Sequence, residues 1–401
     1  MSSDEPGAPA LPLPVATVPA GPASPGYLLA LIRSRAVWTR QQLLAATGMS
    51  RTTLFERLDV LFRHRLVYEA GSAGSDGGRP ATLLRFDDRQ RVVLVFDLGQ
   101  THGRIGVADL SGRTLRMTLL RLDIAEPPRT LLPRLLDAGT ALLQAAGGEH
   151  LIGIGMSVPA PVGASASTLG ASTTMPEWVR YPITEQIRER WPVPVLIEND
   201  ARAFALGESS TVPLAHGATL LAVKLASGIG AGIVLGGQVI SGASGAAGDI
   251  GHIRITEDGP TCLCGRQGCL AAWASGRALL EQLRPHGVRN LEDLVARVNR
   301  DDDAAVDAVR LAADRLGQVL AAVVATVNPQ TLVLGGTLGQ LPSVVAQVDR
   351  RLRSSAMEWA TRDLSVIASR LGDEAVSAGL TAMVAAHVFD PAAVDAQVDA
   401  G

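Results

Sequence analysis

The sequence predicts an α/β protein in which a small winged helix-turn-helix module precedes a larger α/β body. Three observations lead there. Between residues 26 and 63 apolar side chains recur at helical spacing around a short glycine turn, and a polar, cationic face is left over. Apolar strand-like runs at Val92–Phe96, Val195–Ile197 and Leu332–Leu334 lead into Asp97, Glu198-Asn199-Asp200 and Gly335-Gly336. All three cysteines of the chain fall within positions 262–269, ten residues after His252.

With 401 residues, 47% of them apolar, the chain can support two or three domains with sizeable cores. No run of uncharged apolar residues is long enough to span a bilayer, so no membrane partner is expected. The first residues lack a basic segment followed by an apolar stretch, so no secretory leader is expected either. Residues 1–25 are rich in Pro, Ala and Gly without periodicity, which predicts a disordered tail. Clustered, unpaired cysteines point to a reducing, cytoplasmic compartment. The net charge of −3 is unevenly spread: residues 27–91 carry 11 basic against 6 acidic side chains, and the rest is acidic. A basic module on an acidic body suits nucleic-acid contact at one end. All basic residues but one are Arg; the exception is Lys224.

Within the basic module, residues 26–35 read as a first helix. Thr39 and Gln42 form a capping-box pattern that opens a second. Thr47-Gly48-Met49 makes a turn, and Ser50 is a suitable cap for a third helix over Arg51–Arg63, with Leu54, Leu58, Leu61 and Phe62 facing inward. Leu66-Val67-Tyr68 and Thr82–Phe86 read as short strands around a Gly/Ser-rich loop carrying Arg79, which is the description of a wing. In helix-turn-helix proteins the second helix of the motif enters the major groove. The candidate DNA-contacting residues are therefore Arg40, Arg51, Thr52, Thr53, Arg57 and Arg79. A three-helix domain used for protein contacts is the alternative.

Residues 251–269 hold the strongest chemical signal. His252, Cys262, Cys264 and Cys269 make a closed set of one imidazole and three thiolates, the composition of a structural zinc site. Gly259, Pro260, Gly265 and Gly268 supply the turns. Buried free thiols are the alternative. Disulfides fit worse, because the count is odd and Cys262 and Cys264 are too close for an easy bridge.

The spacing Gly-His, nine residues, Cys-x-Cys-Gly-x-x-Gly-Cys resembles the signature of the ROK family (repressor, open reading frame, kinase). The resemblance runs from about residue 26 to near the C-terminus. It implies a winged helix-turn-helix over 26–90 and a two-lobed actin-like, ribonuclease-H-like ATPase fold. The first lobe would span 91–205, completed by 375–401, and the second, with the zinc loop, 206–374. It also implies that His252, Cys262, Cys264 and Cys269 hold zinc. Asp97-Leu98-Gly99-Gln100-Thr101 resembles a first phosphate loop, whose Asp helps hold the nucleotide's magnesium. Lys224 through Gly232 resembles the second phosphate loop, and Leu332 through Gly336 the adenosine-side loop. Two loops depart from the kinase pattern: Gln100 replaces a glycine, and Ala226-Ser227 replaces Gly-Thr. A side chain where backbone must close on phosphate opposes ATP and magnesium binding.

The same resemblance makes Asn199 a sugar-hydroxyl partner and Asp200 the general base of a kinase; the alternative for an Asn-Asp after a strand is helix capping. Asp249 stands where a longer Glu is usual, Ala271 where an acid is usual, and Thr174 where Asn is usual. Each lost charged partner could cost roughly 1–3 kcal/mol in a buried site. A small effector is expected near Asn199, Asp200, Asp249 and His252, with no catalytic residue beyond a vestigial Asp200. Arg310–Val327 and Glu374–Val388 read as long packing helices, the latter the last of the chain. His102, His216, His286 and His387 show no ligand spacing.

The resulting expectation is a homodimeric or tetrameric transcriptional regulator of ROK type, a repressor that binds an inverted-repeat DNA operator and answers to a sugar-like effector. Two alternatives stay open: an active ATP-dependent sugar kinase with a DNA-binding head, and a scaffold without a ligand.

Overall fold

A computed structural model describes residues 23–72, 81–147, 150–163, 169–170, 172–212 and 217–399. The predicted tail up to residue 22, the wing tip with Arg79, and His216 lie outside the described residues.

The second and third helices of the head form where their caps predict, whereas the first spans 25–33 and not 26–35, because Ser24 and Pro25, counted with the tail, cap and open it. Helix α1 (Pro25–Arg33) starts at Ser24, whose hydroxyl accepts from the Tyr27 amide. A short strand β1 (Trp38–Thr39) leads into α2 (Arg40–Thr47), where Thr39 and Gln42 make both bonds of the capping box. Gly48 stops α2 with a left-handed φ of 66°, which favours glycine over any side chain. Ser50 then caps α3 (Arg51–Arg63) by accepting from Thr53 N. Strands β2 (Val67–Ser72) and β3 (Thr82–Phe86) close the head as an antiparallel sheet ordered β1-β3-β2. The first wing strand runs four residues beyond the expected Tyr68. A winged helix-turn-helix results.

The body is built twice on one plan. Strands β4 (Arg91–Leu98), β5 (His102–Asp109) and β6 (Thr114–Arg121) form an antiparallel meander. After helix α4 (Pro128–Ala146), strand β7 (His150–Val158) lies parallel to β4. After α5 (Ile183–Arg190), β8 (Val195–Asn199) lies parallel to β7 and runs straight into α6 (Asp200–Ser209). The second sheet repeats this with β9 (Thr219–Leu225), β10 (Ile229–Leu235) and β11 (Gln238–Val239) as the meander. Helices α7 (Leu270–Ala274), α8 (Gly276–Leu283), α9 (Leu291–Val298) and α10 (Asp303–Val327) precede β12 (Thr331–Gly335), which is parallel to β9. Helices α11 (Gly336–Gly339), α12 (Pro342–Ser355) and α13 (Glu358–Thr361) lead to β13 (Ser365–Ala368), parallel to β12. The sheet orders β6-β5-β4-β7-β8 and β11-β10-β9-β12-β13 match strand for strand. This is the two-lobed, actin-like arrangement that the sequence motifs imply.

Helix α14 (Ala375–Val388) crosses back to the first lobe, and α15 (Pro391–Asp399) follows it. The expected helix over 374–388 is therefore present but not the last: α15 packs on α1 of the head, and Asp395 accepts a 2.6 Å bond from the Gly26 amide. Arg33 is stacked over Phe86 of the head and Phe389 of the body, 5.1 and 4.6 Å from their ring centres. Burial pulls its pKa down to about 10, which still leaves it charged at neutral pH. Apolar residues of head and body, among them Leu29, Leu84, Val93 and Val384, belong to one continuous core. Among the described residues no single helix is long and apolar enough to cross a membrane.

Helices α6 and α14 meet backbone to backbone. A Cβ on Gly207 would collide with the Ala375 carbonyl, and one on Gly379 with the Ala203 carbonyl. In an uncrowded helix, Gly→Ala stabilises by about 1 kcal/mol. Here the collision reverses the sign, so Gly207→Ala and Gly379→Ala should each destabilise by about 1–3 kcal/mol. Urea unfolding checks this; a raised midpoint would show that the helices can separate freely.

Candidate functional site

The cysteine loop is folded by its own short ladder. Isolated bridges join Arg254 to Cys269 and Thr261 to Gln267, and Gly268, at φ 74°, leaves room for the Thr256 carbonyl. This brings His252, Cys262, Cys264 and Cys269 together, with all four candidate ligand atoms within 4.8 Å of one another. His252 Nδ1 lies 3.4 Å from Cys262 Sγ, and Cys264 Sγ lies 3.7 Å from Cys269 Sγ. A tetrahedral ion with Zn–S about 2.3 Å and Zn–N about 2.0–2.1 Å would space its ligands at about 3.5–3.8 Å, so this set fits such an ion. Burial first, then the hydrogen bond that Cys269 donates to Cys264 and the charge of its sulfur neighbours, push Cys269 up to about 12. A divalent cation is what allows thiolates at this spacing to ionise together. The other imidazole nitrogen, Nε2, faces Asp249 Oδ1 at 4.0 Å, so His252 connects the metal loop to the cleft beside it.

That cleft, of about 440 Å³, opens between the lobes. Its size is within the ~300–1,000 Å³ usual for small-molecule sites. Asn199, Asp200, Asp249 and His252 all line it, together with Asp97, His102 and Thr174. The structure therefore gathers the four predicted ligand residues in one place. Their side chains are not equally free. Asn199 caps α6, accepting from the amides of Ala201 and Arg202, while its Nδ2 donates to the Ala160 carbonyl. Asp200, in the first turn of α6, is paired with Lys224 Nζ at 2.9 Å. Thr174 donates to the Pro159 carbonyl, and Ala271 is buried beside Gly251.

Sequence reading missed two features of the cleft. His102, read as ordinary, lines it; burial and then the Arg104 guanidinium hold its imidazole below the usual range. Arg202 is fully buried, bonded through Nε to Glu198 at 2.7 Å and through its terminal nitrogens to the carbonyls of Val162 and Gly245. It thereby ties both rims to α6. The i,i+4 spacing of Glu198 and Arg202 was the available signal, but it crosses a strand–helix junction where that spacing has no fixed meaning. Gln100, already singled out in the sequence, lines the cleft: its Nε2 would lie 3.7 Å from a Cβ on Gly228, so the amide sits between the two phosphate-loop equivalents.

On the head, Arg51, Thr52 and Phe55 are exposed on α3, while Thr53 bonds the capping Ser50 hydroxyl. Phe55, 53% exposed, is an aromatic that the inward-facing pattern did not single out. Arg57 donates through Nε to the Ala23 carbonyl. Arg40 is bonded to Glu69 at 2.7 Å and stacks over Phe55, fastening α2 to the wing strand.

Comparison with known proteins agrees with this two-part design. A xylose repressor of Bacillus subtilis (strain 168) is 27% identical over 357 residues, covering 88% of this chain and 92% of its own. The crystal structure of a ROK family transcriptional regulator, described as a homologue of the E. coli MLC protein, superposes with a TM-score of 0.77 at 24% identity, covering 95% of this chain and 99% of its own. A ROK family glucokinase from Streptomyces griseus, solved with glucose and AMPPNP, gives 0.62 at 26% identity, covering 73% of this chain and 98% of its own. The ROK family model matches residues 93–387, nearly the whole two-lobed body, and so the chain belongs to the ROK family.

Proposed function

We propose that this protein is a transcriptional repressor of the ROK type, which binds an inverted-repeat operator as a homodimer or tetramer and answers to a sugar or sugar-like effector without significant kinase activity. The observation that carries the reading is the docked winged head: the similarity to a named xylose repressor extends across head and body together. A single recognition helix reads only a few base pairs, so two heads are needed for useful specificity. The effector would bind between the lobes. Asp200 lies in the first turn of α6, α6 is locked to α14, and α14 leads into α15, which holds α1 of the head. Closure around a ligand would then change head placement, provided the ligand binds one arrangement better. A coupling of roughly 1–3 kcal/mol suffices for a switch.

The full-length protein should protect a two-fold symmetric site in footprinting of genomic fragments, and D-xylose or a related sugar should weaken that binding. A protein that selects no sequence above bulk DNA does not fit this reading. Arg51→Ala should cost about 1–3 kcal/mol if Arg51 reads a base, and more than Arg40→Ala, because Arg40 is committed to Glu69. Equal losses in both variants would place the contacts elsewhere.

The metal is proposed to be zinc in a purely structural role, since a closed ligand set leaves no position for a reactive water. Metal analysis should find about one zinc per chain. Cys264→Ser should lower the melting temperature and weaken operator binding only indirectly, because the loop lies in the body. Protein purified without chelator yet free of zinc would end this assignment.

A further inference from the structure

The body's plan implies a magnesium nucleotide, with Asp97 beside the metal and Asp200 as the base. The residues present do not fit one, and the disagreement is specific. Both carboxylates already face a fixed cation. Asp200 Oδ2 is 2.9 Å from Lys224 Nζ. Asp97 is 6% exposed; its Oδ1 accepts from Ser157 Oγ at 2.8 Å and its Oδ2 faces Arg104 Nη1 at 3.9 Å. Arg104 is itself anchored by Asp373 at 2.8 Å.

Lys224 is placed for this by the sheet. It sits near the end of β9, opposite Gly230 on β10 and Gly335 on β12, so neither cross-strand neighbour has a side chain to compete for the space above it. It is also the single lysine among 36 basic residues. An ammonium is a compact point charge, whereas a guanidinium is a broad planar fork, so lysine is the side chain closest to a metal ion in shape. Burial alone would pull its pKa down, but the Asp200 and Asp97 carboxylates outweigh burial and raise it, so the ammonium stays charged. Gln100 meanwhile occupies the approach between the phosphate-loop equivalents.

We propose that Lys224, assisted by Arg104, is a resident cation that takes the place of the divalent ion between Asp97 and Asp200, so that the cleft holds its ligand without metal or nucleotide. The pair occupies Asp200 Oδ2 with an ammonium and keeps the charge of the cleft balanced when no ligand is bound. This goes beyond the repressor reading and holds whether or not the ligand is a sugar.

The test is uptake of Mn2+ alone by the zinc-loaded, full-length protein, followed by the electron paramagnetic resonance signal of the free ion. The native protein and Lys224→Arg should take up none in the cleft. Lys224→Met should bind one ion about tenfold or more tightly than the native protein, and lose it again in the Asp200→Asn, Lys224→Met double variant. The proposal is overturned if the native protein binds an ion that Asp200→Asn abolishes, or if Lys224→Met melts cooperatively but gains no site. Should Lys224→Met fail to fold, the native protein decides alone: a thermal shift with AMPPNP that depends on magnesium overturns the proposal, and no magnesium-dependent shift supports it.

Discussion

The structure depends on the close approach of α6 and α14. Gly207 and Gly379 let each helix press its backbone onto the other's carbonyls, at Ala375 and Ala203. The other side of α6 repeats the device, where Gly230 and Gly232 of β10 lie against Ala201 and Ala205. A helix so clad in small residues can be packed between two sheets at once. Asn199 and Asp200 emerge at its N-terminus into the cleft, and Glu208 near its other end is buried, accepting from the amides of Arg370 and Leu371. One rigid rod therefore fixes the candidate ligand residues, the lobes and the return path of the chain. Interiors packed this tightly shift as units and do not deform continuously.

That rod also gives the head a mechanical relation to the cleft. The head is not tethered by a free linker: α15 holds α1, Arg33 lies between Phe86 and Phe389, and Arg91 donates to the Arg65 carbonyl at 2.8 Å. A buried guanidinium stacked on two rings gives up most of its hydration, and its Nε has no hydrogen-bond partner among the described residues. Such a junction is costly to form for docking alone. It suits a head whose orientation is meant to be held by the body.

The body keeps a kinase-like scaffold while the partners of its catalytic positions differ from the kinase pattern. The repeated sheets still bring Asp97, Asp200 and the glycine turns to one cleft, because those positions are fixed by strand ends. What has changed is the company they keep: Lys224 at Asp200, Arg104 at Asp97, Gln100 against Gly228. A phosphoryl-transfer site works by positioning and charge, so a few side chains can alter it without disturbing the fold.

The sequence by itself determined what is local in cause. The caps at Thr39 and Ser50, the turn at Gly48 and the inward leucines of α3 specified the head, because capping and periodicity act within a few residues. The metal set was legible for the same reason: four donors within eighteen positions must meet if the loop closes. The strand-end motifs identified the body's plan, but not that its two sheets share one strand order. The tertiary structure alone decided which cleft residues are free. Asn199 is engaged as a helix cap, Asp200 is neutralised by a lysine 24 positions away, and Arg202 is buried against carbonyls 40 and 43 positions away. The extra helix α15 belongs to this class too, since its weakly patterned sequence becomes a helix by packing on the head. Contacts between residues so distant in the chain leave no periodic trace, because they are selected by the packing of whole elements and not by the conformation of either segment.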